Sequence, residues 1–219
     1  MERTIVVGDI HGCYVEFMDL LGHIGPTQRD RIICVGDLIT KGPGNREVLD
    51  FVRQRENCQS ILGNHEYVLL RHRRGIAVEL KPEHFKTIAE LGKDFNDYMD
   101  WISQWPLYID LGDYLVVHAG IRPDRSMEDQ TIDDLTQLRA LEGPDPGSRH
   151  GTPWFERYEG RQVMIFGHWP REKPLLKGNV VGLDTGCVYG GRLTAIVLPE
   201  RRLVSVPARS VYSKKDGGK

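Results

Sequence analysis

The amino-acid sequence predicts an α/β fold, and two observations carry that prediction. The first is a set of six short apolar runs rich in β-branched residues, each of which ends beside glycine at a potential metal ligand. Such runs are typical of buried strands that stop at a tight turn. The second is the alternation of these runs with helical patterns over the first seventy residues, which predicts parallel strands joined by right-handed crossovers.

The first part of the chain supplies the parallel elements. Strands are expected at 4–7, 32–35 and 61–62, and helices at 13–24 and 46–54 and again before Gly75. Apolar residues at 14, 17, 18, 21 and 24 form one stripe of the first helix, and Gly25-Pro26 ends it. Cations at 71–74 followed by Gly75 are typical of a helix C-terminus, although a clamp for polyphosphate or RNA is the alternative interpretation.

The middle of the chain has a different pattern. Apolar residues between 85 and 102 recur at helical spacing, so we expect one or two amphipathic helices that lean on the core and roof a site. A hairpin is expected across Gly112-Asp113, between runs at 108–111 and 114–117. The polar segment 123–162 is expected to be loop with a short helix at about 135–141.

The last part of the chain returns to strands. They are expected at 162–166, 179–183, 192–198 and 202–206, and the last two form a hairpin that turns at Pro199-Glu200. The polar tail 213–219 is expected to be disordered.

Composition excludes several classes of protein. The net charge of the 219 residues is −2, which gives no basic field for nucleic acid. No apolar stretch approaches the roughly 18 residues that cross a bilayer. The chain enters a strand at once and its four cysteines are scattered, so we expect a cytoplasmic protein with reduced thiols.

Six side chains with oxygen or nitrogen donors follow predicted strands, and their convergence would make a metal site. They are Asp9, His11, Asp37, Asn64, His118 and His168. Asp9 and His11 are two residues apart, so both can point the same way and bind one ion. Asp37 closes the next strand, where one carboxylate can bridge two ions. A set without thiolate suits Mn, Fe, Zn or Co and argues against a structural zinc site.

These residues stand in motifs that resemble a known family. The motifs are Gly8-Asp9-Ile10-His11-Gly12, Gly36-Asp37, Gly63-Asn64-His65-Glu66, His118-Ala119-Gly120 and Gly167-His168. Together they are similar to the calcineurin-like metallophosphoesterases. Within that family they resemble the phosphoprotein phosphatase branch, which includes bacterial symmetrical diadenosine tetraphosphatases and Ser/Thr protein phosphatases.

The resemblance implies a fold and a ligand set. The fold would be a four-layer α/β/β/α sandwich in one domain, 1–212, with a small helical insert at about 76–105. One divalent metal ion would be bound by Asp9, His11 and Asp37. A second would be bound by Asp37, Asn64, His118 and His168, and Mn is the metal we expect first.

The resemblance also implies catalytic residues. The hypothesis is that a hydroxide bridging the two ions attacks phosphorus while His65 protonates the leaving oxygen. Thr40 stands where protein phosphatases have the Asp that supports this histidine, so we expect His65 to be oriented by another group or to be a weaker acid. Lys41 and Arg139 take the places of phosphate-binding arginines, with a surface cation as the alternative for each.

The predicted function is therefore hydrolysis of a phosphoester or phosphoanhydride with two metal ions. The favoured substrate is a nucleoside polyphosphate such as diadenosine tetraphosphate, because the segments around Trp169 and Tyr189 are similar to the tetraphosphatases. These two residues and Trp154 are able to stack on a base, or the tryptophans simply pack the loops. The alternatives are a Ser/Thr protein phosphatase with a phosphoprotein substrate and, less favoured, an inactive phosphate-binding scaffold. Neither a membrane nor a nucleic-acid partner is expected.

Overall fold

The computed structural model describes residues 2–214 and is built on ten strands and six α-helices. The strands are β1 Thr4–Val7, β2 Arg31–Cys34, β3 Cys58–Ser60, β4 Tyr108–Asp110, β5 Tyr114–Val117, β6 Val163–Phe166, β7 Leu175–Lys177, β8 Val180–Gly182, β9 Arg192–Leu198 and β10 Arg202–Pro207. The helices are α1 Tyr14–Ile24, α2 Asn45–Arg53, α3 Asn64–Arg73, α4 Pro82–Leu91, α5 Phe95–Ile102 and α6 Ile132–Gln137. Short 3₁₀ turns lie at Gly92–Asp94, Met127–Asp129 and Trp154–Glu156.

The first sheet has the strand order β10-β9-β1-β2-β3. Strands β1, β2 and β3 pair in parallel, with Val6 opposite Ile33, so the predicted parallel pairing is confirmed. Strand β9 runs antiparallel to both β1 and β10, which confirms the hairpin at the end of the chain. All three parallel strands therefore end at the same edge of the sheet.

The second sheet has the order β4-β5-β6-β8-β7. Strands β4 and β5 form the predicted antiparallel hairpin, and β5, β6 and β8 are parallel. The edge strand β7 was not predicted, because its leucines and lysine are half-buried or exposed and show no alternation. The parallel strands of this sheet also deliver their C-terminal ends to one edge.

The two sheets pack face to face, and helices cover the outer faces. Side chains between the sheets come from both of them, such as Val6 and Ile33 from the first and Val116 and Ile165 from the second. Helices α1, α2, α3 and α5 cover the outer face of the first sheet. A thinner layer, built on α6 and the turn at Trp154–Glu156, covers the second. The expected four-layer α/β/β/α sandwich is confirmed.

The helical segment that follows α3 lies beside the core. Helix α4 packs against α2, where the backbone N–H of Arg46 donates to Glu90 at 2.9 Å, and α5 packs against α3. Helix α3 ends at Arg73, and Gly75 adopts φ +69°, as the helix-end interpretation of the basic run predicts. That run is therefore not needed to explain a ligand site.

Two elements differ in position from the sequence prediction. Strand β3 precedes the apolar pair Ile61-Leu62, which instead forms the buried passage from the strand to Gly63. Helix α6 begins and ends earlier than 135–141, because Thr131 caps it. The Thr131 hydroxyl accepts from the Asp134 N–H at 3.1 Å and the Asp134 carboxylate accepts from the Thr131 N–H at 3.1 Å, a capping box that the prediction overlooked.

Two further predictions concern the C-terminal tail and membrane spans. Of the tail predicted at 213–219, residues 215–219 lie outside the described residues. No helix within residues 2–214 has both the length and the apolar character to cross a membrane.

Asp30 ties the loop before β2 to the N-terminal strand, and its removal is expected to destabilise the fold. Its buried carboxylate accepts from the Arg3 guanidinium at 2.6 Å and from the backbone N–H of Thr27 at 2.7 Å. We expect Asp30→Ala to lower the free energy of unfolding by about 1–3 kcal/mol, measured by urea unfolding at neutral pH.

The pH dependence has a definite sign. The hydrogen bond from Arg3 lowers the pKa of Asp30, so its contribution is present above the ordinary carboxyl pKa and is lost as the pH falls toward the lowered value. The difference between wild type and Asp30→Ala should therefore shrink in acid, whereas exposed Asp113→Ala should change little at any pH. A difference that grows as the pH falls would contradict this account.

Candidate metal centre and active site

The six predicted ligands converge at the edge where the parallel strands of both sheets end. Asp9 and His11 follow β1, Asp37 follows β2, Asn64 begins α3 after β3, and His118 and His168 follow β5 and β6. All except Asn64 are buried. Donor atoms of four of these ligands, together with His65, form two overlapping groups within 4.8 Å, His11 with Asp37 and His65, and Asp37 with His118 and His168.

Tight loops place these side chains. His11, Asp37 and His168 have φ values of 47°, 50° and 63°, the left-handed region that non-glycine residues rarely adopt. A Cβ at Gly42 would lie 2.1 Å from the carbonyl oxygen of His11, so only glycine allows the loops after β1 and β2 to approach this closely. Strained backbone of this kind clusters at functional sites, where surrounding contacts maintain it.

Glu66 is the main anchor of the loop after β2, and the sequence reasoning missed this role. Its fully buried carboxylate accepts from the backbone N–H groups of Asp37, Leu38 and Ile39 at 3.0, 2.9 and 3.2 Å. It also accepts from Gly63 at 3.1 Å. Burial, and then the nearby Asp37, raise the pKa of Glu66 to about 8. Its position beside His65 in the Gly-Asn-His-Glu motif was the available signal.

Hydrogen bonds to backbone carbonyls fix the tautomer of three imidazoles. His11 Nδ1 lies 3.1 Å from the Ile39 oxygen, His118 Nδ1 lies 2.8 Å from the Val35 oxygen, and His168 Nε2 lies 3.1 Å from the Gln137 oxygen. A carbonyl only accepts, so each of these nitrogens carries the proton. Burial lowers the pKa of all three rings, that of His11 to about 3. Each ring is therefore neutral, and its second nitrogen carries an available lone pair.

Two of these lone pairs face another acceptor. The Asn64 Oδ1 atom lies 3.0 Å from His118 Nε2 and 2.8 Å from His168 Nδ1. Three acceptors at such distances repel one another unless a cation lies among them. Metal-binding histidines typically donate their other ring N–H to a carbonyl or carboxylate, as both rings do here. The residues therefore fit a divalent metal ion.

Asp37 lies between the two halves of this cluster. Its Oδ2 atom is 3.6 Å from His11 Nε2 and its Oδ1 atom is 3.5 Å from His118 Nε2. Burial acts to raise the pKa of Asp37, but His118, His11 and Lys41 outweigh it and the pKa is lowered. On the His11 side the Lys41 ammonium already donates to Nε2 at 3.1 Å. A positive charge thus stabilises this half of the cluster.

Two more carboxylates border the cluster. The Asp9 carboxylate accepts from the His168 backbone N–H at 3.0 and 3.1 Å, and burial followed by Asp184 and Asp37 raises its pKa. Burial raises the pKa of Asp184 to about 6. Such concentrated negative charge favours bound cations. Asp184 is not part of the ligand set predicted from the motifs.

Thr40 itself contacts His65. Its fully buried hydroxyl lies 2.6 Å from His65 Nδ1, so no other orienting group is needed. The left-handed conformation of Thr40, with φ +75°, brings the side chain to the ring, and a sequence pattern does not reveal it. Burial, and then Lys41, lower the pKa of His65.

A cavity of about 600 Å³ opens over these side chains. Besides five of the six predicted ligands, it is lined by His65 and by four cations, Lys41, Lys81, Arg139 and Arg149. The sixth ligand, His118, is fully buried beneath it. Both predicted phosphate-binding cations, Lys41 and Arg139, therefore face the same space as the donor cluster. Only Lys81 at the start of the helical segment lines this cavity, so the insert borders the site and does not roof it.

Of the three candidate stacking residues, one lines the cavity. Tyr189 does so, and Lys41 Nζ lies 5.4 Å from its ring centre. Trp154 is fully buried and donates its indole N–H to the Ala119 oxygen at 3.0 Å. Trp169 packs against Phe155 with ring centres 5.5 Å apart. The packing interpretation therefore holds for both tryptophans.

The chain belongs to the calcineurin-like phosphoesterase family, whose pattern it matches over residues 2–203. The fold and the donor cluster described above agree with this class of metal-dependent hydrolases, so the family predicted from the motifs is confirmed.

Individual relatives carry more specific names. The chain is 34% identical to the bis(5'-nucleosyl)-tetraphosphatase PrpE [asymmetrical] of Geobacillus thermodenitrificans, over 93% of each chain. It is 27% identical to the symmetrical bis(5'-nucleosyl)-tetraphosphatase of Vibrio parahaemolyticus, over 94% of this chain and 98% of that one.

Solved structures agree on the fold. A crystal structure of a protein provisionally assigned as a diadenosine tetraphosphatase superposes with a TM-score of 0.83 at 32% identity, covering 94% of each chain. A Ser/Thr phosphatase from Saccharomyces cerevisiae similar to human PP5 superposes with a TM-score of 0.67 at 17% identity, covering 98% of this chain and 82% of that chain. At that identity the second likeness concerns the fold alone.

Proposed function

We propose that this protein is a divalent-metal-dependent hydrolase that cleaves the polyphosphate chain of dinucleoside tetraphosphates. The observation that carries the proposal is the convergence of five of the six donor residues and four cationic side chains on one cavity, with the sixth donor, His118, buried beneath it. A cavity with this charge pattern suits a polyanion held beside metal ions. The names of the relatives above 30% identity supply the substrate class.

The proposal assigns the donors to two ions. Asp9, His11 and Asp37 would bind one, and Asp37, Asn64, His118 and His168 would bind the other. Bound there, divalent ions would neutralise charge on the phosphoryl group and supply a nucleophile by lowering the pKa of water. The absence of thiolate from the set suits Mn²⁺, which we propose as the working metal.

The remaining residues handle the substrate. Lys41 and Arg139 would bind oxygens of the reacting phosphoryl group, which needs positive charge most as it is transferred. His65 would donate a proton at Nε2 to the leaving oxygen. The Thr40 hydroxyl supports this role by accepting from Nδ1–H of the protonated ring, because the ring keeps that proton and becomes neutral when the Nε2 proton passes to the leaving oxygen.

Replacement of Thr40 tests that arrangement. Thr40→Val removes the hydroxyl with little change of shape, and we expect kcat to fall about 10- to 100-fold, as for other groups that orient a reacting side chain. Thr40→Ser keeps the hydroxyl and should recover most of the activity. Steady-state kinetics give kcat for both variants. Equal losses of kcat in Thr40→Val and Thr40→Ser would contradict the role of the hydroxyl.

The alternatives have weaker support. The protein-phosphatase relatives among solved structures share the fold at 17% identity, which does not carry a phosphoprotein substrate to this chain. An inactive scaffold is disfavoured because every predicted donor is present and faces the cluster or lies directly beneath the cavity. We also propose that the enzyme works in the cytoplasm, where its four buried free cysteines would stay reduced.

The names of the relatives also indicate which bond of the tetraphosphate is cleaved. Relatives at 30–34% identity are named asymmetrical, whereas those named symmetrical are 27–28% identical. We therefore propose that diadenosine tetraphosphate gives ATP and AMP, in place of the two ADP that a symmetrical tetraphosphatase would release.

The test is metal-dependent turnover of two substrates compared side by side. Metal-stripped protein is supplied with Mn²⁺ and given diadenosine tetraphosphate or a phosphoserine peptide, and products are separated by chromatography. We expect ATP and AMP from the dinucleotide and little phosphate from the peptide. ADP alone would contradict the proposed cleavage position, and phosphate from the peptide without dinucleotide cleavage would contradict the substrate class.

A further inference from the structure

Two of the four cavity cations have no role in the reaction described above. Lys81 is the residue directly before α4, and Arg149 lies in the loop between Gly143 and Gly151. Both side chains line the same cavity as Lys41 and Arg139, and both residues are otherwise exposed. They belong to different layers of the fold and reach the cavity from different walls.

The loop that carries Arg149 closes against Arg139. The Arg139 N–H donates to the Pro146 oxygen at 2.8 Å, and its guanidinium donates to the oxygens of Gly147 at 3.0 Å and His168 at 3.2 Å. These contacts place the wall formed by the loop beside the His168 end of the donor cluster.

The two cations on this wall, Arg139 and Arg149, both line the cavity. Arg139 Nε is buried without a hydrogen-bond partner, and neither arginine forms an ion pair with a carboxylate anywhere in residues 2–214. Two neighbouring guanidiniums without an acidic partner are stabilised by an anionic ligand.

Lys81 lies on the opposite, His65 side. Its backbone N–H donates to His84 Nδ1 at 2.9 Å, which caps α4 and fixes where the lysine leaves the helix. The buried His84 ring packs against His65, with ring centres 5.3 Å apart. Lys81 therefore stands beside the residue proposed to protonate the leaving group.

We propose that Arg149 and Lys81 bind the phosphates on either side of the reacting one, Arg149 at the His168 end and Lys81 at the leaving-group end beside His65. The site would then recognise a linear polyphosphate chain and not an isolated phosphoryl group. This inference rests on the proposed function and names the residues that select its substrate class. A cavity of about 600 Å³ has room for more than one phosphoryl group.

Binding measurements test the inference without turnover. Isothermal titration calorimetry on Mn²⁺-loaded protein compares orthophosphate with the non-hydrolysable bis-methylene analogue of triphosphate, at constant free Mn²⁺. The measured quantity is the ratio of the two dissociation constants. We expect Lys81→Ala and Arg149→Ala each to reduce the preference for the triphosphate analogue about tenfold, the size of one charge-assisted contact.

The matched controls are exposed cations that do not line the cavity. Lys86 lies on α4 and Arg161 lies two residues before β6, and Lys86→Ala and Arg161→Ala should both keep the wild-type ratio. An unchanged ratio in Lys81→Ala and Arg149→Ala would overturn the inference. A loss in only one of them would overturn the two-ended arrangement.

The experiment separates this inference from the proposed function. If the preference for the triphosphate analogue falls in Lys81→Ala and Arg149→Ala but the wild-type protein cleaves no dinucleotide, the proposed function is wrong and the inference is supported. If the wild-type protein cleaves the dinucleotide but the binding ratio is unchanged in both variants, the inference is wrong and the proposed function is supported.

Discussion

Asp37→Ala is expected to lower turnover of the dinucleotide by about a thousandfold or more. Asp37 alone among the donors lies between both halves of the cluster, 3.6 Å from His11 Nε2 and 3.5 Å from His118 Nε2. Its Oδ1 atom also accepts from the His65 backbone N–H at 3.0 Å. Its removal would therefore weaken the binding of both metal ions and displace the proposed acid His65. The ions and the acid each supply several kcal/mol of transition-state stabilisation.

Two measurements separate this effect from misfolding. Asp113→Ala, an exposed aspartate at the hairpin between β4 and β5, should retain wild-type turnover. Thermal unfolding of metal-free Asp37→Ala should stay close to that of metal-free wild type, whereas added Mn²⁺ should stabilise only the wild type. Turnover above about one-tenth of the wild-type rate would contradict a bridging role for Asp37.

His65→Ala is expected to produce the second largest loss. A general acid contributes about 10²–10⁴-fold, and its contribution grows as the leaving group becomes more basic. We therefore expect His65→Ala to lose more activity on phenyl phosphate than on 4-nitrophenyl phosphate, because phenolate is the poorer leaving group. The kcat/KM values of both esters, measured for both proteins, give this comparison directly.

The same helix provides the control for His65. His72 is exposed near the C-terminal end of α3, so His72→Ala changes a histidine of the same element without touching the cavity. It should behave as wild type on both esters. If His65→Ala loses the same factor on both esters, His65 positions the substrate or the metal ligands and does not protonate the leaving oxygen.

The fold and the donor cluster were accessible from sequence because both depend on local patterns. Val6 and Ile33 belong to β-branched runs that end at Gly8 and Gly36, and such runs have few alternatives to buried strands. Ligands that directly follow parallel strands must meet at one edge of a sheet. The positions of Asp9 and Asp37 directly after parallel strands therefore predict that they lie together.

Features that depend on contacts between distant segments were less accessible. The contact of Thr40 with His65 requires a left-handed backbone at a β-branched residue, which propensity argues against. Arg149 reaches the cavity only because its loop folds back on Arg139. Lys81 depends on where α4 begins, and that boundary is set by a histidine cap at His84 that sequence rules do not anticipate.

The aromatic residues illustrate the same limit. Trp169 stands in a segment similar to the tetraphosphatases, yet its ring packs against Phe155, and the buried Trp154 packs against Phe166. Only the position of Tyr189 on the cavity wall distinguishes it from the tryptophans. Composition and motif gave no means of making that distinction.

The number of Mn²⁺ ions bound per chain tests the central claim most directly. Metal-stripped wild type would be titrated with Mn²⁺ while bound metal and dinucleotide cleavage are followed in parallel. We predict two ions per chain, with turnover that follows occupancy and both signals lost in Asp37→Ala. Cleavage that persists in metal-stripped protein under excess chelator, or full turnover with no bound Mn²⁺, would contradict the account.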